Sequence, residues 1–185
     1  MGRALPSIIN IIDLESTCYY NQQPDDIQDI IEIGICTLDI SEDDPIVGEK
    51  RSILVKPARS KITEFCTELT TITPKMVEEE GVELEVAFEI LRKEYKPKDR
   101  VWGSWGDFDR KLFERQSRDY GLKYPFGPRH QNFKCLYTVM NHLQHELGMA
   151  AALEREGLPL EGTHHRGHDD AQNIAKLAKI LLRKR

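Results

Sequence analysis

Closely spaced cysteine pairs are lacking. The four cysteines, Cys18, Cys36, Cys66 and Cys135, are scattered and form no C-x-x-C unit. That argues against a zinc site and against a thioredoxin-type redox motif. At 185 residues the chain is long enough to bury a core without disulfides, so four reduced and mostly buried thiols are expected. Long apolar runs are lacking as well. None approaches the ~20 residues needed to span a bilayer, and residues 1–7 carry no apolar stretch of the kind a secretory leader requires. A soluble, intracellular protein of the cytoplasm is expected. Repeats and low-complexity linkers are absent, so residues 1–185 are read as one domain. An excess of positive charge is missing too, with 31 acidic against 26 basic residues and a net charge of −5. Asp25, Asp26, Asp29, Glu42, Asp43, Asp44 and residues 78–80 crowd acid into the first half, while Lys56, Arg59, Lys61, residues 93–100 and residues 183–185 supply local positive charge. A protein that coats long nucleic acid is usually basic, but gripping a few phosphates needs only a local patch. The charge balance decides little.

What is present is an orderly succession of elements. Residues 7–12 form a short apolar run suited to a buried central strand. Residues 29–40 and 47–55 read as two further strands around the turn-rich residues 41–45, which implies an antiparallel pair. Thr73-Pro74 is a helix start, with a capping residue before a proline at the first helical position. A helix is predicted over residues 83–95, a strand over 100–104, another helix from about Asp107, and a loop over 124–131. Helices follow over residues 136–147, 150–156 and 169–183. Three strands in a meander, then alternating helix and strand, imply an α/β protein with a mixed sheet flanked by helices.

The acids at strand ends and helix starts are the informative residues. Asp13 and Glu15 follow the first apolar run with Leu14 between them. Residues two apart on a strand point to one face, about 7 Å apart along the backbone, so both carboxylates can converge while Leu14 faces away. A solvated turn would also begin with acids, and the pair alone carries little weight. A third acid lies in Trp105-Gly106-Asp107-Phe108-Asp109. Asp109 shares a helical face with Leu112 and Phe113, whereas Asp107 aligns with Arg110 and Lys111 and is read as the cap. In the last helix Asp170 lies on the stripe of Ile174, Leu177, Ala178 and Leu181. Asp169 aligns with Asn173 and Lys176 on the polar side and is again read as a cap. Four inward carboxylates from three distant stretches would repel one another strongly, because a buried unpaired charge is costly. Bound divalent cations remove that difficulty, and an all-oxygen set favours magnesium or manganese over zinc.

Of six histidines, His164, His165 and His168 cluster beside Asp170. Histidine can take a proton from water near neutral pH, and His165, on a loop five residues before Asp170, can lean over such a site. His164 and His168 are read as exposed loop residues, and His130, His142 and His145 as surface or helix residues.

Six segments in order carry a resemblance: Asp13-Leu14-Glu15, Ile30-Ile31-Glu32-Ile33-Gly34, Phe65-Cys66-Thr67-Glu68-Leu69-Thr70, Ser104-Trp105-Gly106-Asp107-Phe108-Asp109, Asn132-Phe133-Lys134, and the run from His165 to Ala175. Together they resemble the DEDDh exonucleases, and more narrowly the Eri-type branch, over nearly the whole chain. The resemblance implies a ribonuclease H-like fold with a mixed five-stranded sheet, strands one to three antiparallel. It implies two Mg2+ ions, with Mn2+ able to substitute, held by Asp13, Glu15, Asp109 and Asp170. His165 would be the general base, Glu15 would share in catalysis, and Leu14, Ser16, Trp105 and His165 would adjoin the terminal nucleotide. The implied reaction is 3'-5' exonucleolytic hydrolysis releasing nucleoside 5'-monophosphates from nucleic acid 3' ends, RNA ahead of DNA, with no membrane involved. The alternatives are an exonuclease for single-stranded DNA and a catalytically silent nucleic-acid-binding protein on the same fold. One departure is Thr71, where the family often carries glycine.

Overall fold

The computed structural model describes residues 7–23 and 26–184. The first six residues, Asp25 and Arg185, read above for leader, charge and extent, lie outside the described residues.

The centre of the molecule is β1 (Ile8–Ser16), an isoleucine-rich strand flanked on both sides. Its neighbour β2 (Ile30–Asp39) runs antiparallel and is paired in turn with the outer antiparallel strand β3 (Ile46–Leu54). On the other side β4 (Val101–Ser104) and the edge strand β5 (His130–Asn132) run parallel to β1. The order is β3-β2-β1-β4-β5, a mixed five-stranded sheet. Both faces of the central strands are covered, so β2 reads as a nearly continuous apolar run and not as an alternation.

The alternation of β1 splits the core into two. Ile12 and Leu14 pack with Phe88, Trp102, Leu112 and Phe113, under α3 (Leu84–Ile90) and α4 (Phe108–Asp119). Ile9 and Ile11 pack on the opposite face with Phe133, Tyr137, Leu153, Ile174 and Leu177, under α5 (Phe133–Met140), α6 (Met149–Arg155) and α7 (Gly167–Leu182). By the same parity Asp13 and Glu15 lie on the α7 side, at the end of β1 that adjoins the carboxyl end of β4. In open α/β sheets this is the edge where ligands bind.

Several local features depart from the sequence reading. Residues 124–131 were read as a loop, yet His130 begins β5, with its ring 4.3 Å from that of Trp102 and its Nε2 2.9 Å from the Ser104 hydroxyl. The helix read over 136–147 begins earlier, where Asn132 accepts from the Cys135 N–H at 2.9 Å, and stops at Met140 before a left-handed His142. The helix over 83–95 is α-helical only to Ile90 and closes with a π turn, Leu91–Tyr95. Two short helices precede it. In α2 (Pro74–Glu80) Thr73 is the cap, as read. The other, α1 (Glu64–Thr70), was not anticipated; it is capped by Thr63 and ends at Thr71 in the left-handed region at φ 60°. Glycine takes that conformation without steric cost. All four cysteines are thiols; Cys36 and Cys66 are buried, Cys18 half-buried and Cys135 exposed. Among the described residues, no helix is long and apolar enough to cross a membrane.

Candidate active site

Asp13 and Glu15 leave β1 on one face, opposite Gly34 and Glu32 of β2, and a register irregularity follows at Ser16. Asp109 stands in the first turn of α4 and accepts the Leu14 N–H at 2.9 Å, so it fastens the backbone between those two acids. Asp170 stands in the first turn of α7 and accepts the His165 N–H at 2.9 Å. Oxygens of Asp13, Glu15 and Asp170 lie within 4.8 Å of one another. Asp109 lies outside that trio, but its charge is the strongest felt by Asp13. Glu15, Asp109 and Asp170 are 8%, 5% and 4% exposed, while Asp13 keeps part of its surface open.

The electrostatic state follows from that crowding. Burial, then the charges of Asp109, Glu15 and Asp170, push Asp13 well above the carboxylate range. Burial and the charges of Asp170, Glu32 and Asp109 push Glu15 up to about 9, against a smaller opposing effect of Arg166. Burial raises Asp109 to about 6 despite the N–H of Leu14, and burial raises Asp170 despite the His165 N–H and the His164 ring. Each of these groups holds its proton to a higher pH than a free carboxyl does. A divalent cation would compensate them together, and the residues present fit one: the trio is made only of oxygens, as Mg2+ and Mn2+ prefer.

Close backbone approach brings α7 to the sheet. A Cβ added at Gly34 would lie 1.8 Å from the carbonyl carbon of Gly167, and one added at Gly167 would lie 2.9 Å from the Asp13 carbonyl oxygen. Only two glycines allow this, and the contact sets Asp170 beside Asp13.

Glu32 is a functional residue to which the sequence pattern assigns no role. It is fully buried and accepts from His168 Nδ1 at 2.7 Å, from the Gly167 N–H at 2.9 Å and from Arg166 Nε at 3.3 Å. Burial alone would raise its pKa, but the His168 bond, the Arg166 charge and the Gly167 N–H outweigh it and hold the group at about 2. Glu32 thus fixes the whole 166–168 turn from beneath. The available signal was an acid interrupting a strand buried on both faces.

His165 has φ 64°, an uncommon conformation for a residue with a side chain. Its ring stacks on that of His164, with centroids 4.0 Å apart and planes at 18°. Burial and the neighbouring His164 lower its pKa below the ordinary 6.5, against the opposing charge of Asp170. The half-buried ring is therefore neutral and able to accept a proton near pH 7.

Three readings are corrected. Asp169 is no solvent-facing cap: it is 6% exposed, meets Lys50 Nζ at 2.5 Å and accepts the Thr163 N–H at 2.7 Å. The helical stripe it shares is covered by Lys50 of β3 and by the 160–163 segment, where Asn173 bonds both the N–H and the carbonyl of Glu161. His168 is no exposed loop residue but lies in α7, half-buried on Glu32, whereas His164 is exposed on its loop as expected, with Nδ1 3.0 Å from Asp170 Oδ2. His130 is likewise a half-buried strand residue. Asp107 does occupy the cap position of α4, but its carboxylate meets Arg110 and makes no capping bond.

Of the residues read as adjoining a nucleotide, Leu14 is buried against the α4 side of the core and Ser16 is 8% exposed. Trp105 is half-buried, its ring 5.7 Å from Tyr137 and its Nε1 donating to the Leu147 carbonyl at 2.9 Å.

Residues 11–178 match the exonuclease family model named for RNase T. The probable 3'-5' exonuclease KapD of Bacillus subtilis is 30% identical over 154 residues, which cover 83% of this chain and 73% of that protein. The 3'-5' exoribonuclease 1 of Homo sapiens is 28% identical over 185 aligned residues, covering 94% of this chain but 52% of the relative. The chain thus spans about half the length of that human relative. Among solved structures, the nuclease domain of 3'hExo, a DEDDh family member bound to rAMP, superposes with a TM-score of 0.82 at 25% identity, covering 98% of this chain and 94% of that one. The chain belongs to the RNase T exonuclease family, among its DEDDh 3'-5' exonucleases of the Eri type.

Proposed function

We propose that this chain, as a single exonuclease domain over residues 1–185, hydrolyses the terminal phosphodiester at nucleic acid 3' ends and releases nucleoside 5'-monophosphates, with RNA preferred to DNA. The observation that carries the reading is the meeting of Asp13, Glu15 and Asp170 oxygens within 4.8 Å, with Asp109 beside them. These four would hold two Mg2+ ions, or Mn2+ in their place. When bound, such ions supply the Lewis acidity that makes water nucleophilic and stabilises the departing oxygen.

The chain's own residues do the rest. His165 accepts the proton of the attacking water at a ring nitrogen, which its lowered pKa suits at neutral pH. Asp170 holds the His165 backbone at 2.9 Å, so proton acceptor and ligand are set together. Glu15 contributes a carboxylate to the reacting centre. Leu14, Ser16 and Trp105, with His165, adjoin the terminal nucleotide. The preference for RNA is supported by the human relative's name, an exoribonuclease, and by the rAMP bound to the solved 3'hExo domain.

Labelled single- and double-stranded RNA and DNA oligomers, digested with Mg2+ and with chelator, test the proposal. Stepwise shortening of RNA from the 3' end, stopped by chelator, is expected. Faster DNA digestion would transfer the reading to a DNA exonuclease, and no metal-dependent cleavage of either would mark a silent binding protein.

A further inference from the structure

Beside the all-oxygen cluster lies a second group of ligand atoms of different chemical character. Ring nitrogens of His164 and His165 and a carboxylate oxygen of Asp170 lie within 4.8 Å of one another. Two ligands on one tetrahedral Zn2+, each bonded at about 2.0–2.1 Å, sit roughly 3.3 Å apart. His164 Nδ1 and Asp170 Oδ2 are already at 3.0 Å, and the two rings stack 4.0 Å apart with planes at 18°. Near-parallel rings aim their in-plane lone pairs alongside one another, so ligation requires the more exposed His164 ring to turn out of the stack and direct its nitrogen at a shared ion.

The site is partly preorganised. Asp170 is fixed by the His165 N–H, and the left-handed turn at His165 is what sets the two consecutive rings against each other. The His164 side chain is 42% exposed, which opens the group to solvent. Two imidazoles and one carboxylate suit zinc and its transition-metal neighbours, whereas Mg2+ takes oxygen ligands.

We propose that His164, His165 and Asp170 form a binding site for Zn2+, distinct in donor type from the oxygen cluster and sharing Asp170 with it. An ion bound there occupies the His165 lone pair and one arm of Asp170. Resting on the exonuclease reading, zinc is therefore an inhibitor that added Mg2+ does not readily displace, because nitrogen-containing sites bind zinc far more tightly.

The test uses the full chain without a polyhistidine tag, with millimolar Mg2+ present to occupy the oxygen cluster. Zn2+ binding is followed by calorimetry and Co2+ binding by its visible absorption. One ion with tetrahedral-type Co2+ bands is expected, with affinity reduced at least tenfold in both His164→Ala and His164→Gln. His142→Ala and His145→Ala, which alter exposed histidines outside the site, should bind as the parent does. Parent-like zinc affinity in the folded His164 variants, or no binding in the parent, would overturn the site. In a second arm RNA hydrolysis is titrated with zinc, each variant measured against its own zinc-free rate. A half-inhibitory concentration at least tenfold higher in the His164 variants is expected, and an unchanged one would overturn the inhibitory role. A chain that binds zinc as described but cleaves no nucleic acid would sink the exonuclease reading and leave the zinc site standing.

Discussion

Gly34 of β2 and Gly167 of α7 meet backbone to backbone, with room for no side chain at Gly34: a Cβ there would also lie 2.3 Å from the His168 nitrogen. Relief would require the helix to move away from the sheet, because the obstructing atoms are main chain. Gly34→Ala is expected to destabilise the fold by about 3 kcal/mol, at the upper end of the cost of overpacking. It should also remove most activity by shifting Asp170 from Asp13. Urea unfolding and Mg2+-dependent hydrolysis of an RNA oligomer check both effects, and a variant with parent-like stability would show that the approach is not required.

Glu32 stabilises the charged turn above it, and its pKa of about 2 fixes the pH window. A depressed carboxylate contributes stability that is present above its unfolded value of about 4.3 and is lost as pH falls through its folded value. The parent should therefore lose this contribution between about pH 4.3 and pH 2, and Glu32→Gln should show a flatter acid limb. The substitution should cost roughly 2–3 kcal/mol at neutral pH, since it weakens charge-assisted bonds to His168, Arg166 and Gly167. Denaturant unfolding across that range measures it, and an identical acid limb in both proteins would refute the assignment.

The acids above Glu32 act with the opposite sign. Glu15 and Asp109 are raised, to about 9 and about 6, so the folded chain holds protons that the unfolded chain releases near pH 4. Stability without metal is then greatest below pH 4 as far as these groups decide, and falls as pH rises through about 6 and toward about 9. Thermal melts in chelator should decline across that window. Mg2+ or Mn2+ should raise the melting temperature more at pH 8 than at pH 5. A metal effect independent of pH would speak against these carboxylates as the binding groups.

Replacing the proposed base separates chemistry from folding. His165→Ala should bind an RNA oligomer as the parent does and lose about 10²–10⁴-fold in rate. Activity of the parent should fall on the acid side below pH 6.5, where the ring with its lowered pKa becomes charged. Asp13→Asn should abolish Mg2+-dependent cleavage. Near-normal turnover in the first variant removes the histidine from the mechanism, and persistent cleavage in the second removes the metal cluster.

Much of this geometry was legible from periodicity. The spacing in Asp13-Leu14-Glu15 places both carboxylates on one side of β1, and helical spacing separates inward Asp109 and Asp170 from Asp107. Periodicity reports only which way a side chain points relative to its own element. Asp169 shows the limit, because its apparently polar stripe is covered by Lys50, which arrives from 119 residues away. Glu32 stayed hidden for a related reason, its partners being supplied by a turn more than 130 residues later. Strand β5, only three residues long and preceded by two prolines and a glycine, is defined by its pairing to β4 and not by any pattern of its own.

Asp109 and Asp170 each occupy the first turn of a helix, α4 and α7. Each therefore lies at the positive end of a backbone dipole equivalent to roughly half an elementary charge. Chelation cannot strip these partial charges, for they are made of peptide groups. They soften the mutual repulsion of the pocket even in metal-free protein, and they greet an arriving phosphate with attraction where a count of carboxylates alone would foresee only rejection.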